Sequence, residues 1–321
     1  MDTSIRTVAL TAIAPLAWGT TYIVTEQLLP PDRPLFAAAV RALPAGLVLL
    51  AVRRRLPQGS WWWRAAVLGV VNIGAFFPLL FLAAYHLPGG LAATMQAGSP
   101  LVVIAFALWL LHERPGRSRV VGAVVGLLGV ALLVLRAGAA VDLVGVAAAA
   151  GSVAVSGLGF VLVKRWKPPV DMVTLVSWQL VAGGLVLVPV AAAVEGAPPA
   201  LDARAVAGLL WLAVVGTVVA YVVWFRGLTR MPAGATALIG LLNPVVGTVL
   251  GVAVAGEAFG WSQAVGMAMV LGGVLAGQPA VAAWWRRRTM RRLAGDLRSD
   301  VSGAAHAPLD VAADRDPEPV R

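Results

Sequence analysis

Eight residues able to hold a small polar molecule fall inside long apolar stretches: Trp18, Tyr22, Arg41, Asn72, Gln96, Gln179, Tyr221 and Asn243. Amides offer both donors and acceptors, and a guanidinium offers five N–H donors in a fixed fork. Aromatic rings supply stacking surface with a polar tip. Arg41 stands about eight residues into its stretch, where a charge is expensive, so it must face a cavity, a carboxylate or freed carbonyls. The nearest acid by depth is Glu26. In Trp18-Gly19-Thr20-Thr21-Tyr22 the glycine permits close helix approach, and the two aromatics, four apart, share one helix face. The plainer reading is that Arg41 snorkels outward and that each polar residue is interhelical glue, contributing about 0.6 kcal/mol apiece. As a set they suit a polar cavity with aromatic walls that binds a small-molecule substrate.

Pro100 and Pro244 stand mid-stretch at matched positions. Each proline removes a backbone N–H and frees a carbonyl four residues earlier, here those of Gln96 and Gly240. Ser99 and Asn243 immediately precede the prolines. Such a break in both halves is where a transporter's site is expected. Glu113 and Glu257 end two apolar stretches, and a helix carboxyl end disfavours an acid. Each therefore requires a basic partner or an exposed N–H, which makes it an end clamp or gate rather than a proton carrier.

Catalytic and metal chemistry have little to work with. There is no cysteine, so disulfides, thiolate sites and cysteine nucleophiles are excluded. The histidines, His86, His112 and His306, form no paired-ligand spacing. No nucleophile–base pair and no phosphate-binding loop is visible. The expectation is no enzyme, no metal and no cofactor. A membrane-embedded enzyme or a scaffold or sensor is the alternative.

These residues are carried by membrane spans. The chain is 60% hydrophobic and only 12% charged, against about 25% charged in soluble domains, and its mean hydropathy is +0.85. Ten spans are read at about 7–28, 35–52, 65–85, 91–111, 120–135, 143–163, 172–194, 205–225, 233–256 and 261–283. An offset of 144 links Pro88 to Pro232, Pro100 to Pro244, Glu113 to Glu257, Gly122 to Gly266 and Gly129 to Gly273. An offset of 138 links Gly19 to Gly157, Tyr22 to Phe160, Arg41 to Gln179 and Gly46 to Gly184. The chain is thus two related halves, 1–138 and 139–285, followed by a basic juxtamembrane segment and a disordered tail over 286–321.

With the amino terminus cytoplasmic, eighteen basic residues fall on the inner side and only Arg33, Arg136 and Arg204 on the outer. The net charge of +10 therefore reports topology and the lipid bilayer, not nucleic acid. Five spans per half is odd, so the halves enter the membrane in opposite senses. The predicted fold is all-α and integral to the membrane, with ten transmembrane helices as two inverted five-helix repeats and both termini cytoplasmic. The loop from Arg53 to Arg64 places Trp61, Trp62 and Trp63 at interface depth. Two GxxxG patterns, at Gly122–Gly126 and Gly247–Gly251, are expected to be packing seams.

Trp18-Gly19-Thr20, Arg41, Pro100 followed by Glu113, the Gly-rich span after it, and the echo Asn243-Pro244…Glu257 resemble the drug/metabolite transporter superfamily, and within it the bacterial EamA-type exporters. The resemblance covers about residues 7–283. Ala17–Thr25, Arg41–Gly46 and Leu87–Gly90 are similar to the PecM-like branch. The resemblance implies a bacterial inner-membrane protein that exports amino acids, their derivatives or other small metabolites through a central cavity between the halves. Many members carry a lysine near the end of span one, where this chain has Glu26.

Overall fold

The computed structural model describes residues 5–31, 33–86, 95–134, 142–255 and 260–278, and of Tyr22, Glu26, Phe81, Ala84, Tyr85, Leu133, Val134, Gly251 and Ala255 the backbone only. Glu257 and the tail at 286–321 lie outside the described residues. The helices, in order, are α1 (Ile5–Gly19), α2 (Thr21–Leu28), α3 (Pro34–Arg53), α4 (Trp61–Gly69), α5 (Phe76–His86), α6 (Ser99–Leu111), α7 (Arg117–Val134), α8 (Leu143–Trp166), α9 (Met172–Glu195), α10 (Ala203–Ala213), α11 (Ala220–Arg230), α12 (Ala233–Ile239), α13 (Leu242–Ala255) and α14 (Trp261–Ala276). Two wide π-helical turns, Val70–Ala75 and Val214–Val219, join α4 to α5 and α10 to α11.

Among the described residues seven continuous helical stretches are long and apolar enough to cross a bilayer: Ile5–Thr25, Pro34–Arg53, Trp61–Leu80, Leu143–Trp166, Met172–Glu195, Ala203–Arg230 and Ala233–Val254. Ser99–Leu111 and Trp261–Ala276 are shorter apolar helices. The third stretch begins at Trp61, so the three tryptophans open a helix instead of sitting in a loop. Trp61 is buried, while Trp62 and Trp63 are more than half exposed.

Helix ends follow local chemistry. Asp142, Asp171 and Asp202 cap α8, α9 and α10 by accepting backbone N–H groups of Val144, of Val173 and Thr174, and of Ala205. Pro34 opens α3, where a missing N–H costs nothing. Arg54, His112 and Lys167 end α3, α6 and α8 in the left-handed conformation. A basic side chain there faces the negative end of the helix dipole.

α3 and α9 form an antiparallel pair. A Cβ on Gly46 would lie 2.7 Å from Val181 N, and one on Gly184 2.7 Å from Leu43 Cβ. Both ends are pinned. The Glu195 carboxylate accepts Leu35 N at 2.6 Å and Phe36 N at 2.8 Å, capping α3. At the other end Asp171 caps α9 and pairs with Arg53 at 2.6 Å.

α7 and α14 also run antiparallel, and here backbone meets backbone. A Cβ on Gly122 would stand 2.5 Å from Gly273 O, and one on Gly129 2.7 Å from Gly266 O. Of the two expected GxxxG seams, the one at Gly122–Gly126 is a seam, with Gly126 held against Leu241. At Gly247 nothing lies within 4 Å of a Cβ built there, so that glycine makes no close contact.

α1 packs on α11 and α13, while α8 packs on α5 and α6. In the first set Gly19 abuts Val246, and in the second Gly157 abuts Val102. The main apolar core is drawn from α1, α3, α5, α8, α9 and α11.

Candidate substrate site

The aromatic and amide residues singled out in the sequence meet where α1, the two π turns and α11 come together. Trp18, at the end of α1, donates its indole N–H to Gly216 O at 3.0 Å. Tyr221 donates its hydroxyl to Asn72 O at 3.3 Å. Asn72 and Gly216 are 144 residues apart, at matched positions of the two π turns. A π turn leaves a backbone carbonyl without its usual helical donor, and such turns concentrate at functional sites. In the second turn Thr217 also donates its hydroxyl to Leu212 O at 2.7 Å.

The rings fill the space expected to be a cavity. Trp18 lies edge-on to Tyr221 at 5.7 Å and to Trp224 at 5.2 Å. Phe160 closes the far side at 5.5 Å from Trp224. A concavity of about 220 Å³ lies elsewhere, as an apolar groove between α3 and α9 near Arg33, Leu43 and Val188.

Around the rings are buried polar atoms without hydrogen-bond partners: Arg41 Nε, Asn72 Oδ1, Gln179 Nε2, Trp224 Nε1 and Asn243 Oδ1. Asn72 donates Nδ2 to Gln179 Oε1 at 2.7 Å, which leaves Gln179 Nε2 free, while Asn72 Oδ1 is packed against Gly159. The backbone of Asn243 lies against Gly19, whose Cβ would stand 3.0 Å from Asn243 O. Trp224 passes beside Gly240. An unsatisfied buried polar atom costs about 1–3 kcal/mol. Several at one junction are what a ligand-binding site without its ligand presents.

Arg41 is 7% exposed. Its guanidinium carbon sits 3.7 Å from the centroid of the Phe77 ring. Among the described residues it forms no ion pair. A cation over a ring gains about 2 kcal/mol when desolvated, whereas burying a charge costs several kcal/mol. The ring alone leaves the charge under-compensated.

Gln96 is turned to another use, donating to Ser152 Oγ at 2.9 Å and tying the chain before α6 to α8. Tyr22, expected beside Trp18, has no described side chain. Before both Pro100 and Pro244 the helix breaks, at 97–98 and at 240–241. The expectation that Gly240 O is freed is corrected: the tightened turn lets it accept Asn243 N at 3.1 Å.

Glu113 acts as an end clamp. Its carboxylate accepts Ala233 N at 3.0 Å at the start of α12 and pairs with Lys164 Nζ at 2.5 Å. Lys164 also donates to Met231 O at 2.6 Å. The ends of α6 and α8 and the start of α12 are thus joined through two side chains. Lys164 and Phe77 were not picked out from the sequence. Phe77 carries a signal there, because the 144-residue offset maps it onto Tyr221.

A multi-helix membrane protein with a buried aromatic and amide cluster linking its two halves is built like a carrier of small molecules. The EamA-like transporter family model matches residues 5–135 and again 143–276, and the chain belongs to that family, within the drug/metabolite transporters. It is 39% identical to Protein PecM of Dickeya dadantii over 282 residues, covering 87% of this chain and 94% of that one. It is 24% identical to the "Probable amino-acid metabolite efflux pump" of Salmonella typhimurium over 283 residues, covering 83% and 92%. A protein of known crystal structure with 21% identity superposes with a TM-score of 0.75, covering 88% of this chain and 98% of that one. That likeness concerns the fold.

Proposed function

We propose that the protein is a secondary exporter of small metabolites, such as amino acids or their derivatives, working by alternating access in the bacterial inner membrane with both termini cytoplasmic. It carries out no chemistry on its cargo. The observation that carries this reading is the set of unpartnered buried polar atoms on Arg41, Asn72, Gln179, Trp224 and Asn243 around a ring cluster that joins both halves. Pro100 and Pro244 allow the local breaks, Glu113 ties the ends of α6 and α8 to the start of α12, and Glu257 is its repeat mate in the sequence. The efflux direction draws on the name of the Salmonella relative.

We further read the fold as ten spans in two inverted five-helix repeats, 1–138 and 139–285. Exchanged contacts support this. Gly122 and Gly129 have Gly266 and Gly273 as repeat mates, yet Gly122 packs on Gly273 and Gly129 on Gly266. Gly19 on Val246 and Gly157 on Val102 swap in the same way. A two-fold axis between the halves produces this exchange. Cysteine scanning of the cysteine-free chain tests the site: Asn243 and Gln179 should be labelled by a water-soluble thiol reagent and protected by substrate. Labelling of both only by lipid-soluble reagents would defeat the reading.

A further inference from the structure

Every Asp and Glu of the sequence lies at a span end, in a loop or in the tail, at positions 2, 26, 32, 113, 142, 171, 195, 202, 257 and from 296 onward. Lys164 is already paired with Glu113. Arg41 is buried, has a ring on one face, and has an Nε with no hydrogen-bond partner. Among the described residues the site therefore holds one fixed positive charge that no carboxylate side chain balances, and in the sequence no Asp or Glu falls in the middle of a span.

Resting on the transport reading above, we infer that the cargo is a monovalent organic anion with an aromatic or otherwise planar apolar body, and that its export is driven by the membrane potential without a coupled proton. A carboxylate suits the in-plane fork that Arg41 still offers once Phe77 covers its face. The rings of Trp18, Tyr221, Trp224 and Phe160 suit the apolar body. The free amide atoms of Asn243 and Gln179 add neutral hydrogen bonds. A zwitterion would satisfy Arg41 but leave an ammonium with no anion to meet. A cation would meet Arg41 as a like charge.

The energetics follow from the charge. A potential negative inside pushes a departing anion outward. Each 100 mV shifts its equilibrium distribution about fiftyfold, from about 2.3 kcal/mol per elementary charge. An exporter of this kind needs no titrating carboxylate in its path. The favoured metabolites are carboxylates whose amine is absent or blocked, so the reaction that supplies them is an N-acylation or a deamination.

The test uses the full chain in lipid vesicles at pH 7.5, with valinomycin and potassium gradients setting the potential. Two probes that differ in one charge are preloaded: N-acetylphenylalanine, a monoanion, and phenylalanine, a zwitterion. A reversible carrier follows the potential whichever way it inserts. N-acetylphenylalanine should leave at least tenfold faster with the interior negative than with it positive, and phenylalanine should be slower and indifferent to potential. Arg41→Gln should abolish the anion flux, and Arg41→Lys should retain a reduced, still potential-driven flux, both with a wild-type gel-filtration profile and a melting temperature no lower than wild type. Preference for phenylalanine, or anion flux equal at both potentials, overturns the inference and leaves the transport reading standing. Anion flux unchanged in Arg41→Gln also overturns it. No flux of either probe above protein-free vesicles defeats the transport reading and the inference together.

Discussion

Trp18 donates its indole N–H to the carbonyl of Gly216 at 3.0 Å, tying the end of α1 to the wide turn ahead of α11. The donor and the carbonyl are both consumed, so Trp18 serves a ligand through its ring face only. Replacing it with Phe keeps the ring and removes the donor. Trp18→Phe should lower stability by about 1–3 kcal/mol, the cost of one buried carbonyl left unsatisfied. Tyr221→Phe should cost less, since its bond to Asn72 O is longer at 3.3 Å. Denaturation of the detergent-solubilised variants compares the two, and an equal or reversed order would refute the assignment.

The Glu113–Lys164 clamp predicts strong coupling. Both partners are partly buried, at 12% exposure for Lys164 and 26% for Glu113. Glu113→Gln or Lys164→Met alone should destabilise by about 2–3 kcal/mol, because the survivor keeps an unpaired charge. The double variant should cost clearly less than the sum, and a double-mutant cycle reads the difference. Strict additivity would mean that the pair contributes nothing.

Backbone packing between α7 and α14 predicts opposite signs at two glycines. Gly122→Ala puts a methyl 2.5 Å from the Gly273 carbonyl oxygen and should cost about 1–3 kcal/mol through forced separation. Gly247→Ala meets nothing within 4 Å and should gain about 0.5–1 kcal/mol from reduced backbone entropy. Melting of each variant in the same detergent decides, and a loss at Gly247 matching that at Gly122 would contradict the packing described.

A pH effect is expected at the Arg53–Asp171 end of the α3–α9 pair. Partial desolvation pushes the Asp171 carboxyl upward, but hydrogen bonds from Thr174 and Arg53 outweigh it and bring its pKa to about 2. Its unfolded value is about 3.9. A depressed pKa contributes stability that is complete above about pH 4 and lost as pH falls toward 2. Asp171→Asn should flatten the melting temperature over that window and lower it at neutral pH. Because the pair is well exposed, high salt should shrink the effect. A variant that keeps the wild-type slope would remove Asp171 from the account.

Much of this architecture is readable from residue spacing. The glycine at 122 announces a tight seam because only glycine lets two helix backbones touch, whereas Gly129, Gly266 and Gly273 stand out in the sequence only as repeat mates. The repeat offsets also show where the helices break, since proline has a fixed backbone effect. Arg41, Asn72 and Gln179 stand out by chemical type, and all three are buried. What spacing could not show is who meets whom. The acceptors for Trp18, Tyr221 and Lys164 are backbone carbonyls, which carry no residue signature. The π turns are equally silent, since one extra residue among valines, glycines and alanines leaves the hydropathy pattern unchanged.

Those two turns also set a difference between matched places. They begin at Val70 and Val214, and the carbonyl each offers to an aromatic donor is that of its third residue, Asn72 or Gly216. The backbone is alike but the donors are not: an indole N–H at 3.0 Å closes one carbonyl and a phenol hydroxyl at 3.3 Å the other. Whatever opens the two turns therefore meets unequal resistance, and the phenol side is the one to yield first.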